Sequence, residues 1–360
     1  VTDFLQLDWK RLQSASTQWA GQRMTVTIKD VAREAQVSVA TVSRALNGQG
    51  NVAEAVRHRV QGVAERLRYT PHHAARSLSS RRTRTIGVVL PEVYGEFFSE
   101  LIYGIDQVAR EHALHLLVSS YHGDPREQGD ALRSMRGRVD GLLLMSPYAD
   151  SDGHLADALA VLPDAVLISS HLGLPGQRRI GTDNHAGARA MVEHLVALGH
   201  RRIAFVSGPS DNHEAAERLR GYHDALAALL PGAEADVLQG DFREPSGEQA
   251  GRALLARTSL PDAVFAANDV MALGCLAAFN AVGLAVPNDI ALAGFDDIPL
   301  ARYVPPGLTT MRVDIAALGA DAMRRLLANA DDGQADDAPR APQLVVRGST
   351  GAARASPDSS

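Results

Sequence analysis

The sequence predicts a mixed α/β protein in two parts: a head of three short helices with a helix-turn-helix and a hinge helix, then a two-lobed body of parallel sheets. Three observations predict it. Apolar residues recur at helical spacing in three short stretches between Thr27 and Leu67. From Thr85 onward, short apolar runs alternate with amphipathic helical stretches. The charge also splits along the chain: residues 24–84 carry eleven Lys and Arg against four Asp and Glu, a net +7. The first 23 residues add +1, so the remainder holds −14 and the whole chain −6. A basic head on an acidic body is the asymmetry expected when one end meets a polyanion and the other does not. At 360 residues the chain is long enough for two or three units. They divide as a head over 24–70, a hinge helix and linker over 71–84, a body over 85–350 and a tail over 351–360.

Residues 1–23 show no clean period and no capped helix. They are expected to be a disordered arm or the product of an upstream start. The pattern sharpens at Thr27, where Thr27 with Asp30 resembles a capping box and Ile28, Val31, Ala32 and Ala35 fall on one helical face. A break at Gln36, Val37 and Ser38 precedes a second helix from Val39, with Val42, Ala45 and Leu46 inward and Asn47-Gly48 as its end. Two helices joined by so tight a turn form a helix-turn-helix. The third helix follows Asn51, with Val56, Val60, Val63 and Leu67 inward.

The second helix turns Ser38, Val39, Ala40, Thr41, Ser43, Arg44 and Asn47 outward. Small side chains let a helix sink into the DNA major groove, an arginine reaches a guanine edge, and hydroxyls bond phosphates. On pattern alone, a small helical interaction module with a polar face remains the alternative. Tyr69-Thr70-Pro71 ends the third helix and Pro71 opens a short one. That segment exposes Arg76 and Leu78 ahead of Arg81, Arg82 and Arg84, as a minor-groove wedge needs. A plain linker is the alternative there.

The run TIKDVAREAQVSVATVSRALNG, followed by RYTPHHAARSLSSRRTRTIGVVLP, resembles the lactose- and galactose-repressor (LacI/GalR) family of bacterial transcription regulators. The resemblance continues to about Thr350. It implies that Val39 and Ala40 read operator bases, that Thr27, Ser38, Thr41, Ser43, Arg44 and Asn47 contact phosphates or bases, and that Leu78 intercalates. Two positions depart from the family pattern. Gln36 stands where the turn usually has glycine, which costs on the order of 1 kcal/mol if φ there is positive. His72 stands where asparagine is common.

The body's apolar runs are TIGVVLP, LHLLVSSY, VDGLLLMS, DAVLISS, RRIAFVSG, ADVLQGD, DAVFAAND and IALAGFDD. About ten strands are better divided into two sheets than held in one, and ligands of such sheets sit beyond the strands' carboxyl ends. The resemblance implies a periplasmic-binding-protein-like body whose chain crosses between lobes near Thr182, Met311 and Gln343. Arg218, Phe242, Asn268 with Asp269, and Asp296 with Asp297 follow or flank strand ends. A guanidinium fork, an amide, a carboxylate and an aromatic ring suit a sugar-like polyol. Singly, each has another reading: a helix arginine is usually solvated, and the Asn-Asp pair reads as a helix N-cap, expected at Asp269. The resemblance implies that Arg218 (in RLRGY), Asn268, Asp296 and the ring of Phe242 bind effector, with Phe97 and Phe98 lining the cleft. Ser169 stands where many sugar-responsive members carry aspartate or arginine.

No dinucleotide, phosphate-loop, zinc-protease or nucleophile-elbow motif occurs. His72-His73 has no acidic or cysteine partner nearby, and Asp331, Asp332, Asp336 and Asp337 lie in a Gly/Ala/Pro-rich loop, so neither is expected to hold metal. No catalytic residue and no cofactor are expected. The single cysteine, Cys275, and the lack of an apolar run of roughly 18 residues point to a soluble cytoplasmic protein without membrane contact. A symmetric DNA site implies a homodimer, and the tail has no leucine heptad for a tetramer. The expected function is a repressor released from operator DNA by a sugar or sugar derivative. The alternative is a regulator that needs a ligand such as a purine to bind DNA.

Overall fold

The computed structural model describes residues 26–46, 52–69, 82–148, 155, 159, 164–170, 178–328 and 338–353. Residues 1–23, Asn47, His72, His73, Arg76, Leu78, the aspartates between 331 and 337 and the tail beyond residue 353 lie outside them. The chain forms two compact units, residues 1–83 and 84–360.

In the first unit, α1 (Ile28–Glu34), α2 (Val39–Leu46) and α3 (Glu54–Arg66) enclose a core of Val31, Ala32, Ala35, Val42, Ala45, Val60, Val63 and Ala64. Leu46 is only half-buried at its edge. The start of α1 is set by Asp30, whose carboxylate accepts from the Thr27 amide (2.9 Å) and the Thr27 hydroxyl (2.7 Å). At the start of α2 the Ser38 hydroxyl accepts from the Thr41 amide (3.1 Å), so Ser38 caps the helix. Between the helices Gln36 has a φ of 51°, the left-handed region that glycine would enter without strain.

The second unit holds two sheets. β1 (Thr85–Leu90), β2 (His115–Ser120), β3 (Gly141–Met145), β4 (Ala165–Ile168) and β5 (Arg178–Ile180) form an all-parallel sheet in the order β2-β1-β3-β4-β5. β6 (Ile203–Ser207), β7 (Asp236–Gln239), β8 (Ala263–Ala266), β9 (Ala291–Asp296), β10 (Thr309–Arg312) and β11 (Gln343–Val345) form the other, ordered β11-β10-β9-β8-β6-β7. Only the β10–β11 pair runs antiparallel. The helices α4 (Glu96–Glu111), α5 (Pro125–Met135), α6 (Asn184–Ala197), α7 (His213–Leu229), α8 (Glu244–Leu255), α9 (Asp269–Ala281) and α10 (Ile315–Leu327) cover the faces. Strands β1, β3, β4, β6, β8 and β9 are buried almost throughout, which explains why their sequences read as continuous apolar runs.

The chain passes between the sheets three times. It leaves β5 and enters α6, which packs on β8, β10 and β11; it leaves β10 for α10, which packs on β3, β4 and β5; and it returns near Arg340 to β11. Arg340 pairs with Thr182, so two of the crossings run side by side. Asp183 and Asp314 cap the helices that begin just after the first two, each accepting from an amide of the first turn.

Candidate functional site

In the first unit, Val39, Ala40 and Arg44 are exposed on α2, with Val39 41% accessible. Ser38 is exposed, while Thr41 and Ser43 are partly covered. The Ser38 and Thr41 hydroxyls are 2.8 Å apart, so these two side chains are tied to the helix start as well as facing outward. Thr27 is held by its two hydrogen bonds to Asp30. An exposed large apolar residue beside small ones and one arginine is the surface expected of a groove-reading helix.

In the second unit, a cavity of about 720 Å³ opens where strands of both sheets end. From the first sheet, the segment after β1 and the start of α4 contribute Glu92, Phe97 and Phe98, and the segment after β3 contributes Tyr148. From the second sheet's side come Asn212 capping α7, Glu214 and Arg218 on α7, Phe242 and Arg243 after β7, Asn268 after β8, and Asp296 ending β9. This is the carboxyl-end crevice where open parallel sheets bind ligands.

Arg218 lies at the cavity base, 4% exposed. Its Nε donates to Asn184 Oδ1 (2.8 Å), one Nη donates to the Ala267 carbonyl, and Nη2 is 3.1 Å from Asp296 Oδ1. Its guanidinium stacks 3.9 Å from the Phe295 ring centroid and 5.7 Å from that of Phe242. Gly221, one turn along α7, permits this placement. A Cβ there would sit 2.3 Å from the His185 carbonyl oxygen, so only glycine lets α7 approach α6 closely enough.

Asp296 Oδ1 is within ion-pair distance of Arg218, yet it has no hydrogen bond of good geometry. Burial raises its pKa to about 6, against the attraction of Arg218 and with the help of Glu214. Phe242 and Asp296 both adopt positive φ, 69° and 107°. Such backbone strain persists where surrounding structure holds it. For Phe242 the holder is Asn268, whose amide donates to the Phe242 carbonyl (3.1 Å) while its oxygen accepts from the Met271 amide (2.9 Å).

The N-cap of α9 is therefore Asn268, and the expectation that Asp269 fills that place is corrected. Asp269 is the first helical residue and fully buried; it accepts from the Thr310 hydroxyl (2.6 Å) and the Ile298 amide (2.9 Å). Burial and the neighbouring Asp296 push its pKa well up. Phe97, Phe98, Arg218, Phe242, Asn268 and Asp296 come together around one cavity. Ser169 does not: it follows β4 with a φ of 52° and is absent from the cavity lining.

Sequence reasoning misses Asn184 and Glu214. Asn184 is buried beside the first lobe crossing, accepting from Arg218 and donating to the Thr182 carbonyl (3.2 Å) and to Glu214 (3.4 Å). A partial signal exists, since the Thr-Asp-Asn run ahead of α6 reads as a cap, but no spacing connects its side chain to Arg218.

Residues 27–72 match the model for bacterial regulatory proteins of the lacI family, and residues 192–350 match that for a periplasmic binding protein-like domain. The HTH-type transcriptional regulator GalR of Salmonella typhimurium is 38% identical over 307 residues, covering 84% of this chain and 89% of that protein. The crystal structure of the lac repressor dimer bound to operator and the anti-inducer ONPF aligns with a TM-score of 0.80 at 32% identity, over 91% of this chain and 99% of that one. A complex of the transcriptional regulator CelR with cellobiose aligns with a TM-score of 0.64 at 33% identity, over 90% of this chain and 99% of that one. A helix-turn-helix unit and a two-sheet body with a polar cleft, matched along most of their length to such regulators, have one reading: the chain belongs to the lacI family of bacterial regulatory proteins and is a DNA-binding transcriptional regulator.

Proposed function

We propose that the protein is a homodimeric repressor that a saccharide, bound between the two lobes of its body, releases from operator DNA. The observation that carries this reading is the Arg218–Asp296 pair at the cavity base, whose Asp296 Oδ1 lacks a hydrogen bond of good geometry. A sugar hydroxyl supplies the missing donor, the remaining guanidinium N–H groups meet ring oxygens or further hydroxyls, and the rings of Phe97, Phe98 and Phe242 offer flat apolar faces. The similarity to a cellobiose-bound regulator supports the same ligand class.

In the head, Val39, Ala40 and Arg44 are assigned to base edges and Thr27, Ser38, Thr41, Ser43 and Asn47 to phosphate or base contacts. Arg76 and Leu78 are assigned to the minor groove. Ligand binding draws together residues from both sheets, and the strands that cross between them transmit the movement. Asn184 links the ligand-facing Arg218 to the first crossing at Thr182. Operator and saccharide then favour different arrangements of the same body, which is all that allosteric release requires.

The test is retardation of DNA fragments from upstream of the protein's own gene and its neighbours, with and without a panel of saccharides. Specific binding abolished by one saccharide supports the reading. Binding that appears only when a ligand such as a purine is added reverses the sign of the response, and an absence of specific binding overturns the DNA assignment.

A further inference from the structure

The charge of the cavity narrows the ligand class beyond the saccharide reading, on which this narrower assignment rests. Among the described residues lining the cavity, seven carboxylates face two arginines and one histidine. Both arginines are already engaged. Arg218 is held by Asn184, the Ala267 carbonyl and Asp296, while Arg243 Nη2 lies 3.2 Å from Glu92 Oε2 across the cleft. Hydrogen bonding from the Val93 amide holds the Glu92 carboxyl below the usual range, against the effect of its partial burial, so it is charged at neutral pH.

Four helices also begin at this cavity: α4, α7, α8 and α9. Helix N-termini attract anions through their unpaired amides and dipoles. Here that attraction is already met by the chain itself. The first turns of α4, α7 and α8 carry Glu96, Glu214 and Glu244, all facing the cavity, and Asn212 and Asn268 cap α7 and α9.

We infer that the effector is an uncharged, unphosphorylated saccharide and that this cavity discriminates against sugar phosphates. A phosphate ester brings up to two negative charges and only acceptor oxygens. It meets carboxylates that are themselves acceptors, and each lining arginine already has a carboxylate to balance its charge, although Arg218 keeps N–H groups for a neutral ligand oxygen. A neutral hydroxyl both donates and accepts, so the same carboxylates bind it well.

The experiment is calorimetric titration of the full chain near neutral pH with matched pairs: glucose, galactose, lactose and cellobiose, each against its 6-phosphate. For at least one pair the parent sugar is expected to bind and its phosphate to bind about tenfold more weakly or worse. A phosphate that binds as tightly as its parent, or more tightly, overturns the inference and leaves the saccharide reading standing. No binding by any sugar in either form overturns the saccharide reading itself, and the inference falls with it. In Glu244→Gln/Glu248→Gln the preference for the parent sugar is expected to shrink several-fold. An unchanged ratio removes these carboxylates as its cause.

Discussion

Arg218 and Asp296 meet 3.1 Å apart at the base of the cleft, with side chains 4% and 7% exposed. Two opposite charges taken this far from water depend on each other, because either one left alone keeps its desolvation penalty without its partner. The pair therefore serves the fold of the body and, on the proposed reading, the recognition of ligand as well, and a variant must separate the two roles.

Arg218→Ala is expected to destabilise the body by about 3–5 kcal/mol, since it leaves Asp296 buried and uncompensated. Adding Asp296→Asn removes the stranded charge and is expected to restore much of that loss. Neither variant regains the saccharide response. Thermal unfolding and operator release measured on both distinguish the roles: a double variant as unstable as the single one contradicts the ion-pair account, and one that still responds to saccharide contradicts the recognition role.

Stability should depend on pH in a defined direction through Asp296. An ordinary aspartate titrates near 3.8 and this one at about 6, so the folded protein holds the proton more tightly than the unfolded chain. Its contribution is fully present below about pH 4 and is lost as pH rises through about 6, on the order of 3 kcal/mol in total. Wild type is thus expected to lose ground to Asp296→Asn between about pH 4 and 7. A stability difference that does not change with pH would show that Asp296 titrates as an exposed aspartate does.

Gln36 holds its positive φ of 51° at a cost on the order of 1 kcal/mol. Gln36→Gly is expected to recover about 0.5–1 kcal/mol and raise hydrogen-exchange protection in α1 and α2, while Gln36→Val lowers it. Equal protection in all three proteins would place the turn in another conformation.

Arg44→Ala is expected to cost about 1–3 kcal/mol of operator binding, the worth of one good base contact, with saccharide affinity unchanged. Leu78→Ala is likewise expected to weaken operator binding without unfolding the head. Fluorescence anisotropy on operator DNA and calorimetry on the sugar measure the two sides separately, and loss of both in the Arg44 variant would point to a structural role.

Much of this architecture is legible in the sequence because burial on both faces leaves continuous apolar strands such as TIGVVL and IAFVS, and because Thr27 with Asp30 marks the start of α1. β5, β10 and β11 escape the same reading. They are three or four residues long and include Arg178, Arg179, Thr309, Thr310 and Gln343, so they carry too little apolar pattern to announce a strand. The antiparallel β10–β11 pair lies next to a crossing, where the order of elements no longer dictates direction. The cavity residues at strand ends are legible as polar groups in a regular place. Asn184 and Glu214 are not, because their part depends on the approach of α6 to α7 that Gly221 permits. Ser169 enters the candidate set through the family resemblance, and it follows β4, whose last residue pairs with the cavity residue Met145, without itself lining the cavity.

Release of DNA by ligand is a coupling between two sites, and such coupling is reciprocal. The most direct measurement is the affinity of the full chain for its saccharide, taken once free and once saturated with operator DNA. The expected result is weaker saccharide binding on the operator, by the same factor by which the saccharide weakens operator binding. Saccharide affinity that is unchanged or strengthened on operator DNA would contradict release as the mechanism.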